Sequence, residues 1–429
     1  MVFFFVMNVA YRLWSEGHPL RHTISFTFGL MKSHIRRKVT VVLGIETSCD
    51  DTAVAVVSSE RRILSERRYA DRSVQTRLGG ICPSVSAAQH RSLIGRFVKE
   101  CVEESGIRLS DLDAIAVSTR PGLVICLKVG IHKALSLSRE GRIPLIPVHH
   151  MQAHATVSSF FDPSIAYPYI VVLVSGAHAL LALCRGPDRF DLFASSESGS
   201  PGECLDKIGR ELGVQNDTEF SQMHAGAAIE NLAKRKTNNG HLRYPIRMPS
   251  AKRANFHFAV IRCSYSNMLS RIAKDDINIP DFCASVQHTI AVHLASKLFH
   301  LLDYFDDAGQ IPYISPSIVV SGGVAANKCV VDAIGKVGGH FGLRVFAVPL
   351  QYCSDNAVMV AWNGIQLLNA KSESVVNSHL IPPFIFAEGR SPIGRDCSEM
   401  VPLRPRRRIS MKSIAEHQIR LFKARRSWQ

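Results

Sequence analysis

Two β-branched runs, Val39-Thr40-Val41-Val42-Leu43-Gly44-Ile45 and Thr52-Ala53-Val54-Ala55-Val56-Val57, flank the polar turn Glu46-Thr47-Ser48-Cys49-Asp50-Asp51. That pattern predicts a hairpin of buried strands around a turn of small and acidic residues. Apolar positions then change to helical spacing over residues 86–104, where Leu93, Ile94, Phe97 and Val98 share a face. A short strand, Ala114-Ile115-Ala116-Val117, breaks at the loop Ser118-Thr119-Arg120-Pro121-Gly122, and another helical pattern starts near Leu127.

The same order returns in the second half. Tyr169-Ile170-Val171-Val172-Leu173-Val174, the turn Ser175-Gly176-Ala177-His178 and Ala179-Leu180-Leu181-Ala182-Leu183-Cys184 predict a second hairpin. Much later Ser317-Ile318-Val319-Val320 runs into Ser321-Gly322-Gly323-Val324-Ala325-Ala326-Asn327 and a helix. Hairpin, then strand, glycine loop and helix, met twice, predicts a duplicated α/β protein of two lobes, 39–150 and 151–389. Ser48 and Arg120 lie 72 residues apart whereas Gly176 and Gly322 lie 146 apart, so the second lobe carries an insertion, about 202–305, expected to be mostly helical. A nucleotide-like ligand is expected in the cleft between the lobes, against the backbone amides of the glycine loops.

Composition narrows the class without naming it. With 46% hydrophobic and 20% charged residues, the chain is globular rather than disordered. Eleven cysteines without a Cys-x-x-Cys pair read as reduced thiols, not a disulfide framework or zinc ribbon. The net charge of +15 sits in the tails: residues 1–38 hold six Lys/Arg against Glu16, and residues 390–429 hold eleven against Asp396, Glu399 and Glu416. The basic, acid-poor N-terminus resembles an organelle import presequence, and the C-terminal tail is expected to attract RNA phosphates. No stretch approaches roughly eighteen apolar residues, so no transmembrane helix and no membrane partner are expected.

The densest chemistry lies in Val148-His149-His150-Met151-Gln152-Ala153-His154. On a helix His150 and His154 fall at i and i+4, one turn apart on one face, the spacing at which two imidazoles can share a metal. The pair alone more often marks two hydrogen-bonded histidines on a half-buried helix. A third ligand decides between the two.

Seven motifs in order now carry a resemblance: Gly44-Ile45-Glu46-Thr47-Ser48-Cys49-Asp50-Asp51; Thr119-x-Pro121-Gly122-Leu123; His150-Met151-x-x-His154; Val174-Ser175-Gly176-x-His178; Asp206-Lys207; Ser321-Gly322-Gly323-Val324-x-Ala326-Asn327; and Cys353-Ser354-Asp355-Asn356-x-x-Met359. From about Val39 to Ala387 the chain closely resembles the tRNA threonylcarbamoyladenosine transferase family, formerly called O-sialoglycoprotein endopeptidase, in its mitochondrial branch. The resemblance implies the duplicated actin-like, Hsp70-like (ASKHA) fold. It implies one divalent metal ion per subunit, zinc or iron(II), held by His150, His154 and Asp355, a donor set that leaves coordination positions open. The implied reaction moves a threonylcarbamoyl group from threonylcarbamoyl-AMP to the exocyclic amine of the adenosine 3′ of the anticodon, in tRNAs reading ANN codons. No covalent nucleophile and no catalytic residue beyond the metal site is implied.

Carried over position by position, Leu173, Val174, Ser175, Gly176 and Ala177 would hold the phosphate and acyl region, and Asp206 the ribose or base. Gly226 would allow close approach, Glu230 would bind a ribose hydroxyl, Ala326 and Asn327 would contact the nucleotide, and Ser354 would lie beside the metal. The mitochondrial branch implies a mitochondrial homodimer without further subunits. The chain departs from the family pattern at Ala177, where a second glycine is usual, at Arg120, and in His224-Ala225-Gly226-Ala227 and Phe256-His257-Phe258-Ala259. Three other functions are weighed. A zinc peptidase needs His-Glu-x-x-His with its glutamate as general base, and Met151-Gln152 supplies no carboxylate. An ATP-hydrolysing relative suits the fold but not an imidazole metal site, and a non-catalytic tRNA- or partner-binding scaffold would lack the transfer altogether.

Overall fold

In the first half β1 (Val41–Glu46) and β2 (Thr52–Ser58) form the predicted antiparallel hairpin, with Gly44 opposite Ala55. The computed structural model describes residues 39–403 apart from Gln222 and 249–253. The expected presequence, 1–38, and residues 404–429 of the basic tail therefore lie outside the described residues. Next come β3 (Arg62–Tyr69), antiparallel to β2, and the helices α1 (Arg72–Arg77) and α2 (Pro83–Ser105). Pro83 opens α2 at its first turn, where a missing N–H costs nothing, and Gly106 in the left-handed region closes it. β4 (Ala114–Arg120) pairs parallel with β1, and after α3 (Val124–Gly141) β5 (Leu145–His149) pairs parallel with β4. The strand order is β3-β2-β1-β4-β5.

The second half begins with two short helices, α4 (His150–Thr156) and α5 (Ser158–Phe161). It then repeats the plan with β6 (Tyr169–Val174), β7 (Ala179–Cys184) and β8 (Phe190–Ser198) as the antiparallel set. α6 (Pro201–Glu211), α7 (Ala225–Ala233), the two-residue β9 (Phe256–His257), α8 (Phe258–Leu269) and α9 (Ile279–Asp307) fill the long interval, which is helical as its sequence pattern predicts. β10 (Ser317–Ser321) returns parallel to β6, and after α10 (Lys328–His340) β11 (Arg344–Ala347) pairs parallel with β10. Read as β8-β7-β6-β10-β11, the second sheet reproduces the order of the first, with β9 and a late two-residue strand, β12 (Arg395–Asp396), added along β8. The architecture is a duplicated α/β fold.

Every residue of β1, β2, β6 and β7 is buried, the burial expected of central strands covered on both faces. Alternate residues divide between two cores: Leu43, Ile45, Val54 and Val117 pack under α2 and α3, while Val42, Ala53, Ala55 and Ala116 join the larger core on the other face. That other face is covered by the helix α12 (Ala357–Asn369), which follows the short α11 (Leu350–Cys353). Residues 357–369, given to the second lobe by their place in the chain, thus belong by packing to the first. The reason lies in side-chain size: Ala357, Ala361 and Gly364 line one face at i, i+4 and i+7. A Cβ on Gly44 would stand 2.7 Å from Ala361 N and closer still to the Ala357 carbonyl, so helix and strand backbones meet with nothing between them.

Two strands of the first sheet escape the pattern of apolar runs. β3 is an edge strand bearing Arg62, Glu66, Arg67 and Arg68, and β5 contains Pro147. At the other end of the chain, residues 395–396 join the second sheet, so the basic tail begins later than residue 390. All eleven cysteines are free thiols, and no helix among the described residues is long and apolar enough to cross a membrane.

Candidate metal centre

β5 ends at His149 and α4 starts at His150, so the strand-to-helix junction delivers His150 and His154 on one helical face at the edge of the first sheet. Their rings meet edge to face with centroids 4.7 Å apart, and both residues are buried. Asp355 arrives from the turn before α12, whose N-cap is the next residue: the Asn356 side chain accepts from Met359 N at 2.9 Å, and its amide donates to the carbonyls of Tyr352 and Ser354. Asp355 Oδ1 lies 3.0 Å from His154 Nε2 and 3.4 Å from His150 Nε2. One donor atom from each of the three residues lies within 4.8 Å of the other two.

The donor set fits a divalent ion. Ligands on bonds of about 2.1 Å around a tetrahedral centre stand about 3.4 Å apart, the scale of the separations found here. Two imidazoles and one carboxylate suit zinc or iron(II) better than magnesium, which prefers oxygen.

The electrostatics agree. Burial opposes a charge on His150, yet the carboxylates of Asp355 and Glu46 hold its pKa well above the imidazole range. Burial also pushes the Asp355 carboxyl up, and the His150 charge outweighs it, leaving Asp355 well below its ordinary value. Two carboxylates thus face one point from opposite sides of an imidazole, and positive charge is favoured there, whether carried by a proton or a metal. Asp51, on the β1–β2 turn, is pushed up to about 7 by burial and by the Asp355 and Asp50 charges, while Arg72 pairs with both turn carboxylates.

Glu46 stands in the first of the sequence motifs, which assigns it no role. It is wholly buried at the end of an otherwise apolar strand; its Oε2 lies 3.1 Å from His150 Nδ1, its Oε1 accepts from Ser48 N at 2.5 Å, and Ser118 donates to it as well. Burial pushes its pKa up, but the charge and hydrogen bond of His150 keep it below the usual glutamate value. A carboxylate on Nδ1 fixes which nitrogen His150 turns toward Asp355 and makes that nitrogen more basic. The signal was present in the sequence as a lone acid closing a strand of five apolar or small residues, since such carboxylates are rarely buried without a task. Glu46→Gln keeps the shape and removes the charge. It is expected to weaken zinc binding about 10- to 100-fold, read by competition with a chromophoric chelator, with the unfolding midpoint of the zinc-free protein little changed.

The residues expected to hold the nucleotide fall into five segments that the fold draws toward one another. Leu173 and Val174 are buried at the end of β6, whereas Ser175, Gly176 and Ala177 form the turn, with Gly176 and Ala177 exposed. Ser200 donates to the Gly176 carbonyl at 2.5 Å and Gly202 N to Ser175 O at 3.2 Å, seating the start of α6 on that turn. Asp206 follows on α6, paired to Arg210 at 3.4 Å. Gly226 lies in the first turn of α7, and Glu230, one turn on, accepts from Lys328 N at 2.9 Å, tying α7 to the loop after β10. In that loop Gly322 presses against the Val174 carbonyl, Ala326 is half-buried, and the Asn327 side chain caps α10 by accepting from Val330 N at 3.2 Å. Ser354 accepts from Arg68 at 3.0 Å beside Asp355.

The turn and the metal triad are neighbours. His178 closes the 175–178 turn through Ser175 N, which donates to its carbonyl at 2.8 Å. Its imidazole is driven down to about 4, by burial first and then by the charges of His150 and His154.

A duplicated α/β fold with this repeated sheet order is that of the actin-like class. Full-length HypF in its phosphate- and nucleotide-bound form shares the fold with a TM-score of 0.51 at 13% identity, over 78% of this chain and 47% of that one. The sequence places the chain within that class: it belongs to the tRNA N6-adenosine threonylcarbamoyltransferase (TsaD) family, whose model matches residues 62–362. A Caenorhabditis elegans protein named as the probable mitochondrial member is 45% identical over 377 residues, 87% of this chain and 89% of that protein. The human protein of that name, also mitochondrial, is 36% identical over 338 residues, 77% of this chain and 81% of that protein.

Proposed function

We propose that the protein transfers the threonylcarbamoyl group of threonylcarbamoyl-AMP to the exocyclic amine of the adenosine 3′ of a tRNA anticodon, in mitochondria and on tRNAs reading ANN codons. The observation that carries this reading is the His150–His154–Asp355 cluster beside the 175–178 turn, in a chain of this family. A divalent ion bound there would polarise the donor through its open coordination positions. The protein's own groups do the rest. The 173–177 turn receives the phosphate and acyl oxygens, and Asp206 and Glu230 face the ribose and base from α6 and α7. Ala326, Asn327 and Ser354 complete the walls. Because the adenylate is already activated, the site has to hold donor and amine together and exclude water, and no acyl-enzyme is needed. The amine forms the new C–N bond as the C–O bond to AMP breaks, and the amine proton leaves with solvent or the released phosphate.

Ala177 places a methyl where the family pattern has glycine, at an exposed position of the turn. The same reading includes a homodimer, and import directed by residues 1–38. The test is direct: purified protein, zinc, threonylcarbamoyl-AMP and tRNA are combined and the nucleosides are resolved by mass spectrometry. Threonylcarbamoyladenosine is expected with one AMP per modified base, and no phosphate release from ATP alone. Phosphate release without base modification would replace this function by an ATPase. In cells lacking the protein, loss of the modification from organelle but not cytosolic tRNA is expected.

A further inference from the structure

β3 is the edge strand of the first sheet, and its polar side chains divide by face. Arg67 points to α2, where it meets Glu100 at 3.1 Å and Glu104 at 2.7 Å. Glu66 and Arg68, on either side of it in sequence, share the opposite face, as residues two apart on a strand must. There both reach the turn that carries Asp355. Arg68 Nη1 donates to Ser354 Oγ at 3.0 Å, to the Gln351 carbonyl at 3.1 Å and, more weakly, to the Asp355 carbonyl at 3.4 Å. Glu66 accepts from the Tyr352 hydroxyl at 3.3 Å. The turn 350–356 thus meets a strand almost 290 residues earlier in the chain, through contacts at four of its residues.

We infer that Arg68 is a positioning residue for the metal centre, latching the 351–355 turn to the edge of the first sheet so that the Asp355 carboxylate is presented to His150 and His154. The inference rests on the metal reading above and adds a residue to it. Geometry makes the case. The two histidines are fixed by a helix that grows directly out of β5, whereas Asp355 stands on a short turn between α11 and α12, with Gln351 exposed and Leu350 71% exposed. Asn356 ties that turn to itself and to the start of α12, but its bonds are local. Arg68 joins it to the sheet that also carries the histidines, so the three ligands share one frame. A contact behind the carboxylate, to the turn that bears it, acts on the ligand's place and not on its chemistry.

Charge provides a sign that separates this role from its rivals. An arginine near a cation site repels the cation, so deleting its charge alone would tighten metal binding. Deleting a latch loosens it. The experiment compares the parent with Arg68→Ala, Arg68→Lys and, as a control on the same strand, Arg62→Ala, measuring zinc affinity by chelator competition and the visible absorption bands of cobalt(II) in the same site. Amide exchange of residues 351–356 is followed in the zinc-free proteins. For Arg68→Ala the expected results are zinc binding weaker by about tenfold, altered cobalt bands and faster exchange of the turn. The unfolding midpoint should be unchanged and Arg62→Ala should match the parent. Arg68→Lys, which keeps the charge but spans fewer of the oxygens, should fall between. Unchanged or tighter zinc binding in Arg68→Ala, or weaker binding with no change in turn exchange, would overturn the latch. If the parent itself binds no zinc, the metal reading fails, and the exchange measurement still decides whether Arg68 holds the turn.

Discussion

Asp355→Ala is expected to leave a folded protein that has lost both its stoichiometric metal and its transfer activity. The carboxylate is one of the three proposed ligands and the only anionic one among them, 3.0 Å from His154 Nε2 and 3.4 Å from His150 Nε2. Removing it takes away negative charge as well as one donor, so the loss of metal affinity should exceed the roughly 10- to 100-fold that removal of an outer partner costs. The fold should survive because the cap of α12 is supplied by Asn356 and the helix is held by its apolar face. Metal content of the purified variant by elemental mass spectrometry, set beside nucleoside analysis of treated tRNA, checks both halves. Full occupancy in Asp355→Ala would remove that residue from the site, and His154→Ala would then show whether the imidazoles bind the ion by themselves.

Gly44→Ala should be the costliest single methyl in the first lobe. Its Cβ would stand 2.7 Å from Ala361 N and 2.9 Å from Ala361 Cβ, with the Ala357 carbonyl nearer still. These are backbone atoms and a methyl stub, with no flexible end to swing away, so α12 must lift from the sheet. Overpacking of this kind costs roughly 1–3 kcal/mol, and here the upper end applies. Urea titration should show the midpoint falling with the slope unchanged. Because α12 starts two residues after Asp355, the same shift should also weaken metal binding, which a mere loss of stability would not do. Gly95→Ala is the matched control: it sits exposed inside α2 with no atom within 4 Å of its Cβ, so it should stabilise by about 0.5–1 kcal/mol.

The architecture was legible wherever apolar runs were long. Both hairpins, the two strand–loop–helix units and the helical insertion stand where their patterns put them, because strands buried on both faces leave uninterrupted β-branched stretches. β3 was hidden by its place at the sheet edge, where solvent and ion pairs replace apolar alternation, and β5 by Pro147. The candidate metal site was half legible. The i, i+4 spacing of His150 and His154 is a local property and survives in sequence, whereas Asp355 lies 201 residues beyond His154 and was found only through the family motif. Glu46 stands in a motif that gives it no role, and Arg68 stands in none. Their partners are set by sheet register and by the return of α12, neither of which leaves a periodic mark.

That return has a consequence for how the molecule can be divided. The duplicated sheets invite a view of the chain as two modules joined end to end, yet residues 41–149 without residues 357–369 would present Val42, Ala53, Ala55 and Ala116 to water as a broad sticky sheet. The second half, cut at the same place, would own a helix with no bed to lie on. The gene fragment that encodes a self-sufficient first lobe is therefore discontinuous, and the two lobes are heritable only together. A circular permutant opened elsewhere keeps this partnership, while a split after His149 separates the strand that leads to His150 and His154 from the helix that leads away from Asp355.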